Sequence, residues 1–286
     1  MSERTNEAMN QEKVRIDRGE GRPLAGDLHS PARPIAGVVV VHGFKGFKDW
    51  GFFPYLCDRL AEAGFAALRV NLSGCGIRSE GEMFDAPDAF ENQNLPADVA
   101  DIGEACRFLA GRLREVAAGG LPIALLGHSR GGGAALVHAA EDPGLAALVT
   151  WSAVARFDRY GPEAVAAWER GETVPVTNAR TGQTFHLQPR FWTTYAADRS
   201  RYDLLARAAA LAHPWLIVHG AADETVPVEE ARELHRVAES GPTRLVEIPG
   251  GSHTYGAVHP FEGAPEPLQQ ATQETVAWLR ERLSGA

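Results

Sequence analysis

Apolar residues along the chain fall into two recurring patterns: short unbroken runs, and longer stretches with apolar positions three and four apart. The runs predict strands at 35–41, 65–70, 122–126, 145–150, 215–218 and 244–248, and the periodic stretches predict helices at 52–63, 97–117, 129–140, 228–239 and 267–283. A continuous β-branched run such as 35–41 marks a parallel strand covered on both faces. In 97–117 the buried stripe is Val99, Ile102, Cys106, Leu109 and Leu113, with Asp98 placed to cap its start. Upstream, residues 13–30 alternate around Gly19 and Gly21 and predict an antiparallel hairpin at a sheet edge, while residues 1–12 lack periodicity and read as a loose tail.

Strands alternating with helices of ten or more residues predict an α/β fold, a mainly parallel central sheet with helices on both faces. The alternation stops near Trp151. Residues 153–212 carry a helical piece at 164–170, a hairpin over 174–187 and an aromatic-rich segment, which together read as a small cap inserted into one domain spanning 13–286. Sites in such sheets form beyond the carboxyl ends of the strands. That rule points to residues 42–46, Ser129, Asp223 and His253, each of which follows a predicted strand.

Composition narrows the function classes. The 286 residues are 44% hydrophobic and 23% charged, with a formal net charge of −9 and no block of basic residues, so nucleic acid is not an expected partner. No apolar run approaches the roughly 18 residues that span a bilayer. Cys57, Cys75 and Cys106 lie far apart without C-x-x-C spacing, which suits a reducing compartment and implies a cytoplasmic protein. Neither an H-E-x-x-H pair, a calcium loop nor a Walker pattern occurs, so no metal or cofactor is implied.

The chemistry centres on Gly127, Ser129 and Gly131, which fill G-x-S-x-G between a predicted strand and a predicted helix. A serine hydroxyl needs a neighbouring base and a group that orients the base. In the order serine, acid, histidine, Asp223 is the expected acid, with Glu224 its nearest rival, and His253 the expected base. His259 is the rival base, and His235 falls inside a predicted helix. Two N–H donors must face the oxyanion: that of Arg130, next after the serine, and that of Phe44 in the loop after strand 35–41. The side chains of Lys45, Lys48 and Arg130 are expected as solvated or ion-paired surface groups.

With His42-Gly43-Phe44, Gly127-His128-Ser129-Arg130-Gly131, Asp223 before Thr225-Val226-Pro227, and Gly251-Ser252-His253, the chain resembles the α/β-hydrolase superfamily. The resemblance spans about residues 13–284. Within it the chain resembles the cytoplasmic esterase branch that includes cinnamoyl (feruloyl) esterases, dienelactone-hydrolase-like and serine-aminopeptidase-like hydrolases. It implies an α/β-hydrolase fold and a serine carboxylic ester hydrolase acting on a small to medium acyl or aromatic ester. There are departures. Dienelactone hydrolases proper use cysteine where this chain has Ser129, and the loop at 71–76 reads Asn-Leu-Ser-Gly-Cys-Gly where relatives often have Asp-x-Arg-Gly-x-Gly.

Trp151, Phe157, Tyr160, Trp168, Phe185, Phe191, Trp192, Tyr195 and Tyr202 lie in or beside the insertion, either as an apolar roof over the substrate or as the cap's own core. Trp151, Phe191, Trp192 and Tyr195 are the expected substrate contacts. A peptidase or amidase is the alternative, needing acidic cap residues such as Glu163, Glu169 or Glu172 for a substrate amino group. A ligand-binding protein on a hydrolase scaffold is the third reading. The oligomeric state, a homodimer included, stays open.

Overall fold

The computed structural model describes residues 10–19, 21, 23–78 and 83–284. β1 (Asn10–Ile16) and β2 (Leu24–Ser30) form the expected antiparallel hairpin, in register from Asn10 opposite Ser30 to Ile16 opposite Leu24. The hairpin starts earlier than its pattern suggests. Residues 10–12, expected in the tail, already pair with β2, and Arg112 grips the Glu12 carboxylate through two nitrogens at 3.1 and 2.8 Å. Residues 1–9 of that expected tail lie outside the described residues.

The regular alternation follows. β3 (Ala36–Val41), α1 (Phe53–Glu62) and β4 (Phe65–Val70) make the first unit. Next come α2 (Pro87–Glu91), α3 (Leu95–Val116), β5 (Ile123–His128), α4 (Arg130–Glu141) and β6 (Ala147–Trp151). The expected insertion holds α5 (Pro162–Glu169), a two-stranded sheet of β7 (Val174–Thr177) and β8 (Thr184–Leu187), α6 (Arg190–Ala197) and α7 (Leu204–Ala210). β9 (Trp215–Gly220), α8 (Val228–Val237), β10 (Thr243–Ile248) and α9 (Glu266–Leu283) complete the chain.

The large sheet runs β1-β2-β4-β3-β5-β6-β9-β10, and every pairing from β4 to β10 is parallel. Alternate residues of each strand face two separate cores. Val39, Val41, Leu125, Leu148 and Ile217 meet α3, α4 and α8, while Val38, Val40, Leu126, Val149 and Val218 meet α1 and α9. Each fully buried aliphatic side chain of this kind contributes roughly 1.5–3 kcal/mol. Both faces being covered is why these strands read as unbroken apolar runs.

Three local expectations change. α2 is a five-residue helix in the stretch between the predicted strand at 65–70 and the predicted helix at 97–117, where the pattern gives no element because it is too short to show a period. α3 starts at Leu95, its cap is the Asn94 side chain accepting from Ala97 N–H at 3.1 Å, and Asp98 is buried inside the first turn instead. α7 packs on α4 and α8, so it belongs to the helical layer rather than to the roof. Among the described residues no helix is long and apolar enough to cross a membrane, and Cys57, Cys75 and Cys106 are free and buried.

Candidate active site

The site grows from the sheet's reversal of order, where the chain leaves β3 for β4 on one side and β5 lies on the other. β5 runs directly into α4 through Ser129, which adopts φ 57° and ψ −126°. A non-glycine residue held there is strained, and the surroundings enforce it. The Ser129 N–H donates to the Trp151 carbonyl at 2.9 Å, and its carbonyl accepts from Gly132 N–H at 2.9 Å. A Cβ on Gly127 would come within 2.5 Å of the Gly131 carbonyl, and one on Gly131 would overlap the His42 carbonyl. The two glycines are therefore demanded by close backbone approach.

Asp223 and His253 arrive from the ends of β9 and β10. Ser129 Oγ donates to His253 Nε2 at 3.0 Å, and His253 Nδ1 donates to Asp223 Oδ2 at 2.8 Å. Asp223 Oδ1 accepts N–H groups from Thr225 and Val226, each at 2.9 Å. Burial pushes the Asp223 carboxyl upward, but the donors from His219, His253 and Val226 overcome it and hold the group well below the usual carboxylate range. Glu224 is exposed. His259 accepts Gly51 N–H and stacks on Trp50, and His235 is exposed on α8; none of the three joins the line.

The loop after β3 is drawn over the serine. Gly46 N–H closes a turn on the Gly43 carbonyl at 3.1 Å, and a Cβ on Gly43 would sit 2.8 Å from that of Ser129. His42, buried and pushed down to about 4 by desolvation, stays neutral: its Nε2 accepts Leu72 N–H at 3.1 Å and its Nδ1 donates to the Gly43 carbonyl at 2.9 Å. Lys48 and Arg69 both pair with Asp27 and Asp49 beneath the loop, and Lys48 N–H donates to Asn71 Oδ1 at 2.7 Å. Among the described residues, no intramolecular acceptor takes the N–H of Phe44 or of Arg130.

Several side chains have other roles than their sequence context suggests. Lys48 is buried in the network just described, and Lys45 Nζ donates to the Thr177 carbonyl of the cap hairpin at 2.8 Å. The Arg130 guanidinium is nearly buried: it pairs with Asp98 at 3.1 Å, donates to Gln93 at 3.0 Å, and lies 5.1 Å from the Phe191 ring and 5.9 Å from that of Phe44. Phe191 thus meets Phe44 of the loop after β3, whereas Trp192 stacks on Trp168 and Tyr195 packs on Phe157 and Tyr202 within the insertion. Trp151 is not a substrate contact. It is fully buried on the α9 face, with Nε1 donating to Thr275 Oγ1 at 2.9 Å and its ring against Phe52 and Tyr255. Glu163, Glu169 and Glu172 are exposed, Glu172 being paired with Arg170.

A family model described as the alpha/beta hydrolase family matches residues 38–268. The chain belongs to the alpha/beta hydrolase family. Among its relatives, a monoacylglycerol lipase of Mycolicibacterium smegmatis is 28% identical over 254 residues, covering 79% of this chain and 84% of the lipase. Many solved structures share the fold. Est1E from Butyrivibrio proteoclasticus, with ferulic acid bound, has a TM-score of 0.68 at 23% identity, covering 95% of this chain and 99% of its own. A dienelactone hydrolase from Anabaena variabilis has a TM-score of 0.66 at 21% identity, covering 96% and 99%.

Within this alpha/beta hydrolase the residues that local pattern overlooks are the supporting histidines and Asp98. His128, buried and pushed down to about 3 by desolvation and by His253 beside it, donates Nε2–H to the His253 carbonyl at 2.9 Å. Histidines closing apolar strands, as His42 and His128 do, were the available sign; the partner of Asp98 is 32 positions away and leaves no local mark.

Proposed function

We propose that this hydrolase is a serine carboxylic ester hydrolase that works through an acyl-enzyme. The observation that carries the reading is the unbroken line from Asp223 Oδ2 to His253 Nδ1 (2.8 Å) and from His253 Nε2 to Ser129 Oγ (3.0 Å). His253 takes the Ser129 proton as Oγ attacks the ester carbonyl, and Asp223 holds the imidazole in the tautomer that leaves Nε2 free to accept. The oxyanion is held by Phe44 N–H and Arg130 N–H, for which no other acceptor stands among the described residues; one such donor is worth about 3–4 kcal/mol of barrier. His253 returns the proton to the leaving alkoxide, then activates a water that releases the acid.

The acyl group lies against Phe44 and Phe191, with Trp192 and Tyr195 in the same aromatic cluster behind them. Ferulic acid on Est1E supports an aromatic or medium-sized acyl group, and the lipase relative supports carboxylic ester chemistry. Three free, buried cysteines support a cytoplasmic place of action.

The test is a panel of chromogenic esters beside a fluorophosphonate probe. Ser129→Ala is expected to lose about 10⁶-fold in kcat and all labelling. Turnover by that variant at the wild-type rate, or label recovered on another residue, overturns the reading.

A further inference from the structure

His219 is the one fully buried histidine at the acid end of the line that the reaction just described does not use. It stands in β9 opposite Glu247 of β10, with no exposed side-chain surface. Its Nε2 is 2.8 Å from the Val226 carbonyl, and because a carbonyl only accepts, the proton sits on Nε2. The same nitrogen is 3.4 Å from Asp223 Oδ2, the oxygen that receives His253 Nδ1–H. Among the described residues it is the one side chain besides His253 within reach of that oxygen. Nδ1 is left as a buried lone pair without a partner. An unpaired buried group of this kind is rare in folded proteins and asks for a reason.

We propose that His219 tunes the general base of this site: its N–H, bonded to the Val226 carbonyl and held 3.4 Å from Asp223 Oδ2, places positive charge density beside the oxygen facing His253 and keeps His253 a weaker base. This rests on the role of His253 as base proposed above. The effect is electronic rather than steric, because Asp223 Oδ1 is fixed independently by Thr225 and Val226 N–H, so the carboxylate keeps its place when His219 is replaced. A donor on a carboxylate lowers the charge that it offers to a neighbouring imidazolium.

Other groups facing this line come from three elements. His128 at the end of β5 lies 4.8 Å from the His253 ring, and burial keeps it neutral. Tyr255, after β10, spends its hydroxyl proton on the Val218 carbonyl at 3.0 Å, and burial holds its phenol above its ordinary value. Glu247 on β10 is paired with Arg232. Each keeps its partner when only position 219 changes.

The experiment compares wild type with His219→Gln, His219→Asn and His219→Phe. The Gln carboxamide nitrogen can stand where Nε2 stood, the Asn nitrogen stands nearer Nδ1, and Phe has neither. Two readouts are taken: the acid limb of kcat/KM on a chromogenic ester, and the pH titration of the His253 ring carbon signal by NMR, assigned by its loss in His253→Asn. In the Asn and Phe variants both midpoints are expected to rise by about half a unit, a threefold change in the protonation constant, with kcat above the limb nearly kept. His219→Gln is expected to titrate with the wild type. Midpoints that stay put or fall in the folded Asn variant, with kcat/KM lowered equally at every pH, overturn the proposal and leave His219 as packing. Because the NMR titration needs no turnover, it separates this outcome from failure of the esterase reading. Should His219→Phe not fold, the Asn and Gln pair decides.

Discussion

The geometry of Ser129, the proposed nucleophile, depends on what two of its neighbours lack. Gly131 lies so close to the His42 carbonyl that a methyl group must push the start of α4 away from the end of β3. Ser129 Oγ and the Arg130 N–H would move with it. A displacement near 1 Å at a catalytic group is enough to lose about 10²-fold in rate, so Gly131→Ala is expected to lose at least that in kcat. Steady-state kinetics on a small ester checks it, and kinetics equal to wild type would show that the elbow has more room than this packing allows. At this scale the sequence was informative. Glycines at 127 and 131, an acid after one strand and a histidine after the next were all legible because each sits beside a strand end. Trp151 was not, although its alternation with Ala147 and Val149 placed it on one face; nothing local says that this face belongs to α9 and not to the cap.

Between elements, Arg130 is the joint. It leaves the first turn of α4, pairs with Asp98 on α3, and lies against Phe44 of the β3 loop and Phe191 of α6. Burial drives the Asp98 carboxyl up to about 6, against the pull of Arg130 and with the nearby Asp101 adding to the rise. The folded value lies above the unfolded one near 3.8, so the stability gained from the protonated carboxyl is complete below about pH 4 and is lost as pH rises through about 6. Asp98→Asn cannot make that transition. Relative to wild type it is expected to gain stability between pH 4 and pH 7, by at most about 3 kcal/mol. Urea midpoints of both proteins at the two pH values measure this; a difference that does not change with pH refutes it. The local pattern read Asp98 as a cap because carboxylates near helix starts often are caps. Its partner comes from another helix, which periodicity cannot register.

For the whole molecule, the fold class was legible because covering both faces of a parallel sheet leaves its imprint on every central strand. The stretch between β6 and β9, which stays outside the large sheet, shows in the sequence only as an interruption. Its helices and hairpin carry weaker alternation, and its aromatic side chains merge with the core beneath, Phe185 packing on Phe84 and Phe90 and Phe191 on Phe44. Beneath the site, Asp27, Asp49, Lys48 and Arg69 join β2 and β4 to the loop that carries Phe44, a link between an edge hairpin and the chemistry that no motif records.

The three cysteines turn this architecture into its own stopwatch. Cys57 lies in α1 on one face of the sheet and Cys106 in α3 on the other, with Cys75 in the loop after β4, so a thiol reporter stands in each layer. Burial pushes all three up to about 12, which leaves almost no thiolate while the fold is closed. A chromogenic disulfide reagent added to native protein is therefore expected to record openings of each layer and nothing else. Single-cysteine variants would date them separately. Equal rates for Cys57 and Cys106 mean that both layers part in one event, whereas faster modification of one shows which side of the sheet lets go first.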